Sequence, residues 1–178
     1  LDDHISRGYN RARRAIRAVD PDHLIGARTG WGGTGTEWAD TGMPFDLRSG
    51  AKYLDFVSPE GYGMATDWDQ ARTYGFTTAY GRWASNGKPV FWSEFGASLF
   101  PQYDATRIET QRKIYENMYR VVVESGANGS AGWWFPGGRR LGEESDYGIV
   151  NPDGTPRASA LELKKFAPTI TGRATLPE

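Results

Sequence analysis

Four short, nearly continuous apolar runs alternate with helical stretches along this chain, and that alternation restricts its fold more than any other feature. The runs are His23–Arg28 (HLIGAR), Leu54–Ser58 (LDFVS), Pro89–Glu94 (PVFWSE) and Gly129–Phe135 (GSAGWWF), recurring every 30–40 residues. A strand covered on both faces has no polar side to alternate with, so it reads as an unbroken apolar run. Such strands separated by helices are the βα units of a parallel sheet. Each run leads into a glycine- or aromatic-rich loop: Thr29–Gly35 (TGWGGTG), Pro59–Gly63 (PEGYG), Phe95-Gly96 and Pro136-Gly137-Gly138. Parallel α/β folds bind their ligands at that carboxyl edge.

The helical stretches are read from spacing. Ile5, Tyr9, Ala12, Ile16 and Val19 recur at steps of 4, 3, 4 and 3, one apolar stripe of a helix over residues 5–19. Arg7, Arg11, Arg13, Arg14 and Arg17 lie mostly off that stripe and read as a solvated face. Asp20-Pro21-Asp22 stops the helix. Shorter or longer helices are expected near 45–53, 66–86, 105–125 and 157–166. The third of these is the clearest, with Ile108, Gln111, Tyr115, Met118, Val122 and Val123 in helical register and Ser125-Gly126 as its stop. Residues 167–178 read as a tail or linker, and 1–166 as one structural unit. A chain that opens directly on a helix, without a leader-like pattern, is expected to be a fragment.

Composition removes several function classes. Twenty-one basic and 22 acidic side chains leave a net charge of −1 over 178 residues, which is no footprint for nucleic acid. No window of about 20 apolar residues offers a membrane span. Cysteine is absent, and the two histidines, His4 and His23, lie far apart, so thiol nucleophiles, zinc–thiolate sites and histidine triads have few or no candidates. No cofactor or metal is expected. The TGWGGTG run lacks the Lys-Ser/Thr ending of a phosphate loop and a helix directly after it, so it reads as a tryptophan-bearing loop. Seven Trp, nine Tyr and eight Phe among 23 Gly suit flat platforms for ligands.

The chemistry centres on Lys88–Gly96 (KPVFWSEFG), where an apolar strand ends in a glutamate. A carboxylate at the end of a buried strand is costly to desolvate unless paired or used. The string resembles the seventh strand of the clan A retaining glycoside hydrolases, the (β/α)8-barrel enzymes that include cellulases, mannanases and β-galactosidases. The resemblance implies that Glu94 is the catalytic nucleophile. Ser58–Tyr62 (SPEGY) is similar to the end of the clan's sixth strand, which implies that Tyr62 hydrogen-bonds that nucleophile; Glu60 stands where the clan often has histidine. Trp133 and Trp134 both fit the tryptophan that floors the sugar subsite after the eighth strand, with Trp134 favoured. Asp146–Val150 and Asn151–Pro156 resemble the turn before the clan's last helix. The resemblance covers about residues 5–166.

It implies an α/β fold, the C-terminal half (strands five to eight) of a (β/α)8 TIM barrel. A preceding segment or another chain would complete it, because half a barrel exposes two edges and an apolar inner face. The implied activity is retaining hydrolysis of β-glycosidic bonds in an oligo- or polysaccharide, with two carboxyl groups about 5–5.5 Å apart. The general acid/base is expected upstream of Leu1. An aromatic-rich cleft suits extracellular polysaccharide, and neither nucleic acid nor membrane is an expected partner. The alternatives are a non-catalytic carbohydrate-binding barrel fragment using Trp31, Trp38 and Trp134, and an unrelated phosphate-binding barrel using Gly137–Arg140.

Other residues keep two readings. Glu60 is a proton donor, a substrate-binding carboxylate or a loop residue. Arg28 faces the rim or pairs with a carboxylate. Trp31 and Trp38, beside Glu37, contact substrate or pack their loop. Trp92 is expected to turn toward the helices. Arg139, Arg140, Glu143 and Glu144 read as solvated, and Asp146 as a possible substrate contact.

Overall fold

The computed structural model describes residues 2–31 and 47–170. Its elements run α1 (Asp2–Arg17), β1 (Arg28–Trp31), α2 (Leu47–Ala51), β2 (Ser58–Glu60), α3 (Trp68–Ala71), a single 3-10 turn (Arg72–Tyr74), α4 (Gly75–Ala84), β3 (Phe91–Trp92), α5 (Ala105–Glu124), β4 (Gly129–Ser130) and α6 (Ala158–Ile170). Strand and helix alternate as expected, and the chain is α/β with few, short strands.

All the strand pairings are parallel and follow chain order. β1 pairs with β2, and β3 with β4. The bridges Val57↔Val90 and Glu60↔Glu94 join the two pairs. Among the described residues this order lacks the reversal that makes the binding crevice of a doubly wound sheet. The strands share one carboxyl edge, the usual place for a ligand in parallel α/β folds.

Several boundaries differ from the sequence reading: β2 begins at Ser58, where the LDFVS run ends, β3 and β4 keep two residues each of their runs, and α1 covers 2–17 instead of 5–19. β1 begins at Arg28, where the HLIGAR run ends; within that run, Ile25 meets the β2 approach through Asp55 N–H to Ile25 O (2.7 Å) and Ile25 N–H to the Asp55 carboxylate (2.8 Å). The last helix continues past 166 to Ile170, with Pro168 inside it. A proline so near a helix end removes a single backbone donor, and the Thr169 hydroxyl adds a bond to Phe166 O at 2.7 Å. The expected 66–86 helix is split by the 3-10 turn. Asp67 caps its start by accepting from Gln70 N–H at 3.1 Å, and Asn86 and Gly87 end it at φ of 61° and 84°, where glycine and asparagine are least strained.

The main core lies between the strands and α5. Trp92, Phe95, Tyr115, Met118 and Val121 are fully or almost fully buried in it. A second cluster of Leu47, Ala51, Val57, Ala84 and Val90 seats α2 and α4. Lys88 donates to Ala51 O and Leu54 O, both at 2.6 Å, satisfying carbonyls at the end of α2.

α1 is held by charge more than by its apolar stripe. Ile16 and Val19 are exposed, whereas Arg13 and Arg17 reach the Asp55 carboxylate at 2.8 and 2.7 Å, and Arg13 also bonds Tyr53 O. Two of the five arginines are thus anchors, not a solvated face. The Arg13 bond, against an opposing desolvation, holds the Asp55 carboxyl below its ordinary value. A depressed carboxyl stabilises the fold above the unfolded value near pH 4 and loses that contribution as pH falls through the folded value. Asp55→Asn should therefore speed amide hydrogen exchange in α1 at neutral pH, and the difference from the unaltered protein should close below about pH 4.

Candidate functional site

β1, β2 and β3 bring Arg28, Glu60 and Glu94 to one edge. A local irregularity in β3 aims the last of these. Phe91 and Ser93 N–H donate to Val57 O and Pro59 O in regular parallel steps, but Gly61 N–H donates to Glu94 O, not to residue 93. On the other side, Ala131 and Trp133 N–H, two residues apart, donate to Trp92 O and Phe95 O, three apart. β3 thus carries one extra residue against both neighbours, a bulge that reverses side-chain parity. Trp92 turns into the core, as expected, where its indole N–H bonds the Thr78 hydroxyl at 3.1 Å. Glu94 turns to the rim.

Around Glu94 lies a cleft of about 620 Å³ lined by Arg28, Tyr62, Trp133, Arg140, Glu143 and Tyr147, among others. That volume is in the range of small-ligand sites. The Tyr62 hydroxyl donates to Glu94 Oε2 at 3.0 Å. Burial first, and then the Glu94 carboxylate, push the Tyr62 phenol far above its ordinary value, so it remains a donor at any working pH. Tyr147 meets the Tyr62 ring edge-on at 5.9 Å. Gly96 leaves room that this geometry needs, since a Cβ there would run into the Trp133 carbonyl.

Glu60 is 0% exposed, and the Arg28 guanidinium grips it with two nitrogens, Nε on Oε1 and Nη2 on Oε2 at 3.2 Å. Both carboxylate oxygens accept from a cation. That geometry suits an enclosed carboxylate paired with a cation. The third Arg28 nitrogen, Nη1, lies 3.7 Å from Glu94 Oε1.

Of the two tryptophans, Trp133 lines the Glu94 cleft. Trp134 stacks behind it with ring centres 5.2 Å apart and borders a separate apolar groove beside α5 and α6. The structure thus brings Trp133, and not the favoured Trp134, to the Glu94 cleft. Trp31 sits in β1 at the register position of Glu60. Trp38 and Glu37 lie outside the described residues.

The loop between β4 and α6 supplies what sequence reasoning missed. Arg140 lies over the Trp134 and Trp133 rings at 4.3 and 5.1 Å and donates to Glu143 at 2.9 Å; Ser145 donates to the same carboxylate. These residues read as solvated because a charge run carries no signal of what it folds over. Asp146 does not face the cleft. It is 1% exposed, and Arg157, Tyr103 and the N–H groups of Gly138 and Gly148 all donate to it. Burial opposes its ionisation, but Arg157 and Tyr103 outweigh burial and hold its carboxyl below the ordinary value. Among the described residues no group of three His, Cys, Asp or Glu can hold a metal ion, and no helix is long and apolar enough to cross a membrane.

No family model and no curated protein sequence matches the chain. Solved structures do. A GH2 β-galacturonidase from Eisenbergiella tayi superposes with a TM-score of 0.66 at 16% identity, over 93% of this chain and 30% of that one. A glycoside hydrolase family 17 β-1,3-glucanosyltransferase from Rhizomucor miehei gives 0.61 at 14% identity, over 89% and 57%. The chain has a glycoside hydrolase-like fold. Bacteroides uniformis β-glucuronidase 2 adds a TM-score of 0.60 at 20% identity, over 93% of this chain and 20% of that one. The chain thus spans between 20% and 57% of these neighbours' lengths.

Proposed function

We propose that this chain is the strand-five-to-eight half of a (β/α)8 barrel of the clan A type and carries the nucleophile of a retaining β-glycosidase. The observation that supports it best is the Tyr62–Glu94 hydrogen bond at the carboxyl ends of adjacent parallel strands, facing a cleft walled by Trp133. In this reading the Glu94 carboxylate attacks the anomeric carbon. The bond to the leaving oxygen breaks, and its electron pair departs with the aglycone, which takes a proton from the general acid. Water, deprotonated by the same group, then releases the sugar. Tyr62 holds Glu94 in its attacking orientation, and Trp133 stacks on the apolar face of the ring.

The acid/base and the remaining strands come from a complementary half-barrel, in the same parent chain or another. Among the described residues β1 and β4 each pair with one strand only. Beside β4 an apolar groove lined by Phe91, Tyr119, Val122, Phe135 and Phe166 stands open, with Phe135 69% exposed. These are features a missing strand and helix would cover.

The test is mechanism-based labelling. A 2,4-dinitrophenyl 2-deoxy-2-fluoro-β-glycoside has a leaving group that needs no protonation, so it reports on the nucleophile without the general acid. Presented as gluco, galacto and manno isomers, one of them should add a single fluoroglycosyl mass to the protein, mapped by peptide mass spectrometry to Glu94. A protein that binds oligosaccharide but takes no label is a carbohydrate-binding barrel instead. Trp133→Ala should weaken binding of the labelled sugar by about tenfold through loss of stacking area, and Trp134→Ala by much less. Saturation of the labelling rate reads both.

A further inference from the structure

We propose that Arg28 is a positioning residue for Glu94, and that the buried Glu60 exists to hold it; this rests on the nucleophile reading of Glu94. Glu60 and Glu94 occupy bridged positions on neighbouring parallel strands, so two carboxylates are brought side by side. Such a pair repels unless a cation lies between. Arg28, from the next strand over, is that cation. Nε and Nη2 bind the two Glu60 oxygens, and Nη1 faces Glu94 Oε1 at 3.7 Å, while Tyr62 binds Glu94 Oε2. Each Glu94 oxygen therefore has its own neighbour, from a different strand.

The burial pattern argues that the arrangement serves Glu94. Glu60 is fully enclosed, although an apolar side chain there would cost less desolvation. The Arg28 side chain is 59% exposed, and an arginine that open to solvent would ordinarily sample many rotamers. The fork-to-fork contact with Glu60 fixes the guanidinium plane and so fixes where Nη1 sits. In this reading Glu60 serves to hold Arg28 and not to donate a proton. Together they form a clamp that sets the attacking carboxylate's charge environment and direction.

The competing explanation is that Arg28 merely neutralises Glu60. Labelling of Glu94 by the activated fluoroglycoside separates the two. Arg28→Ala should slow labelling by about 10- to 100-fold. Millimolar guanidinium ion, far below denaturing levels, should recover part of that rate by entering the vacated, solvent-open position. The double variant Arg28→Met with Glu60→Met removes the buried charge along with its partner. It should regain thermal stability relative to Arg28→Ala yet stay slow and unresponsive to guanidinium. A double variant that labels as fast as the unaltered protein would overturn the proposal. So would an Arg28→Ala variant, confirmed folded by its melting curve, that labels at the unaltered rate. If the unaltered protein takes no label at Glu94, the nucleophile reading itself fails, and this proposal with it.

Discussion

Glu94→Gln is expected to abolish fluoroglycosyl labelling and to lower any turnover of an activated glycoside by about 10⁴-fold or more. The substitution keeps shape and the Tyr62 contact but removes the nucleophilic oxygen. The amide still accepts from the Tyr62 hydroxyl, which now bonds to Glu94 Oε2 at 3.0 Å, so folding should survive. The change replaces an anion beside Arg28 by a neutral group at a partly exposed position, a small stability effect. Loss of label with an unchanged melting curve is the signature of a reacting group. A Glu94→Gln protein that labels like the unaltered one would place the nucleophile elsewhere. Glu143 is then the next carboxylate to test, because it lines the same cleft.

The largest stability effect is expected at Asp146. Its carboxylate takes both Arg157 nitrogens, at 2.9 and 2.8 Å, in an almost solvent-free setting. Asp146→Ala leaves the Arg157 charge buried without its main partner, which costs about 3–5 kcal/mol. For a chain this size that is a fall in melting temperature of roughly 10 °C. Replacing both members with apolar residues should recover only part of the loss, since Tyr103, Gly138 N–H and Gly148 N–H also donate to Asp146. The pH dependence has a definite sign. Because the folded carboxyl is depressed, its stabilisation is complete above the unfolded value near pH 4 and disappears as pH falls through the folded one. The melting-temperature gap between the unaltered protein and Asp146→Asn should therefore narrow on acidification below about pH 4. The site should feel the change too. Ser145 and Tyr147 flank Asp146 and both line the cleft, and Tyr147 packs on Tyr62.

Much of the architecture was legible in the chain. Apolar runs spaced by helical periodicity gave the alternation of strands and helices though not the strand bounds, and α5 followed its stripe to within a residue. The candidate chemistry was legible in the same way: a glutamate ending an apolar strand is an expensive residue in want of a reason. Asp146 and Arg157 were not, because two charged residues eleven apart give no sign that a loop will fold them inward.

Local pattern determined the alternating order of elements and pointed to the carboxyl edge as the expected place for a ligand, with Glu94 as a residue to suspect. These depend on periodicity and on the cost of burying charge, both properties of short stretches. Tertiary structure decided the rest. The bulge after Trp92 exists only against two neighbouring strands, and it is what turns Glu94 to the rim. Arg28 meets Glu60 across 32 residues of chain, and Trp133 rather than Trp134 reaches the cleft because of how the loop packs. Such contacts are set by which segments become neighbours in space, and no window of sequence contains that information.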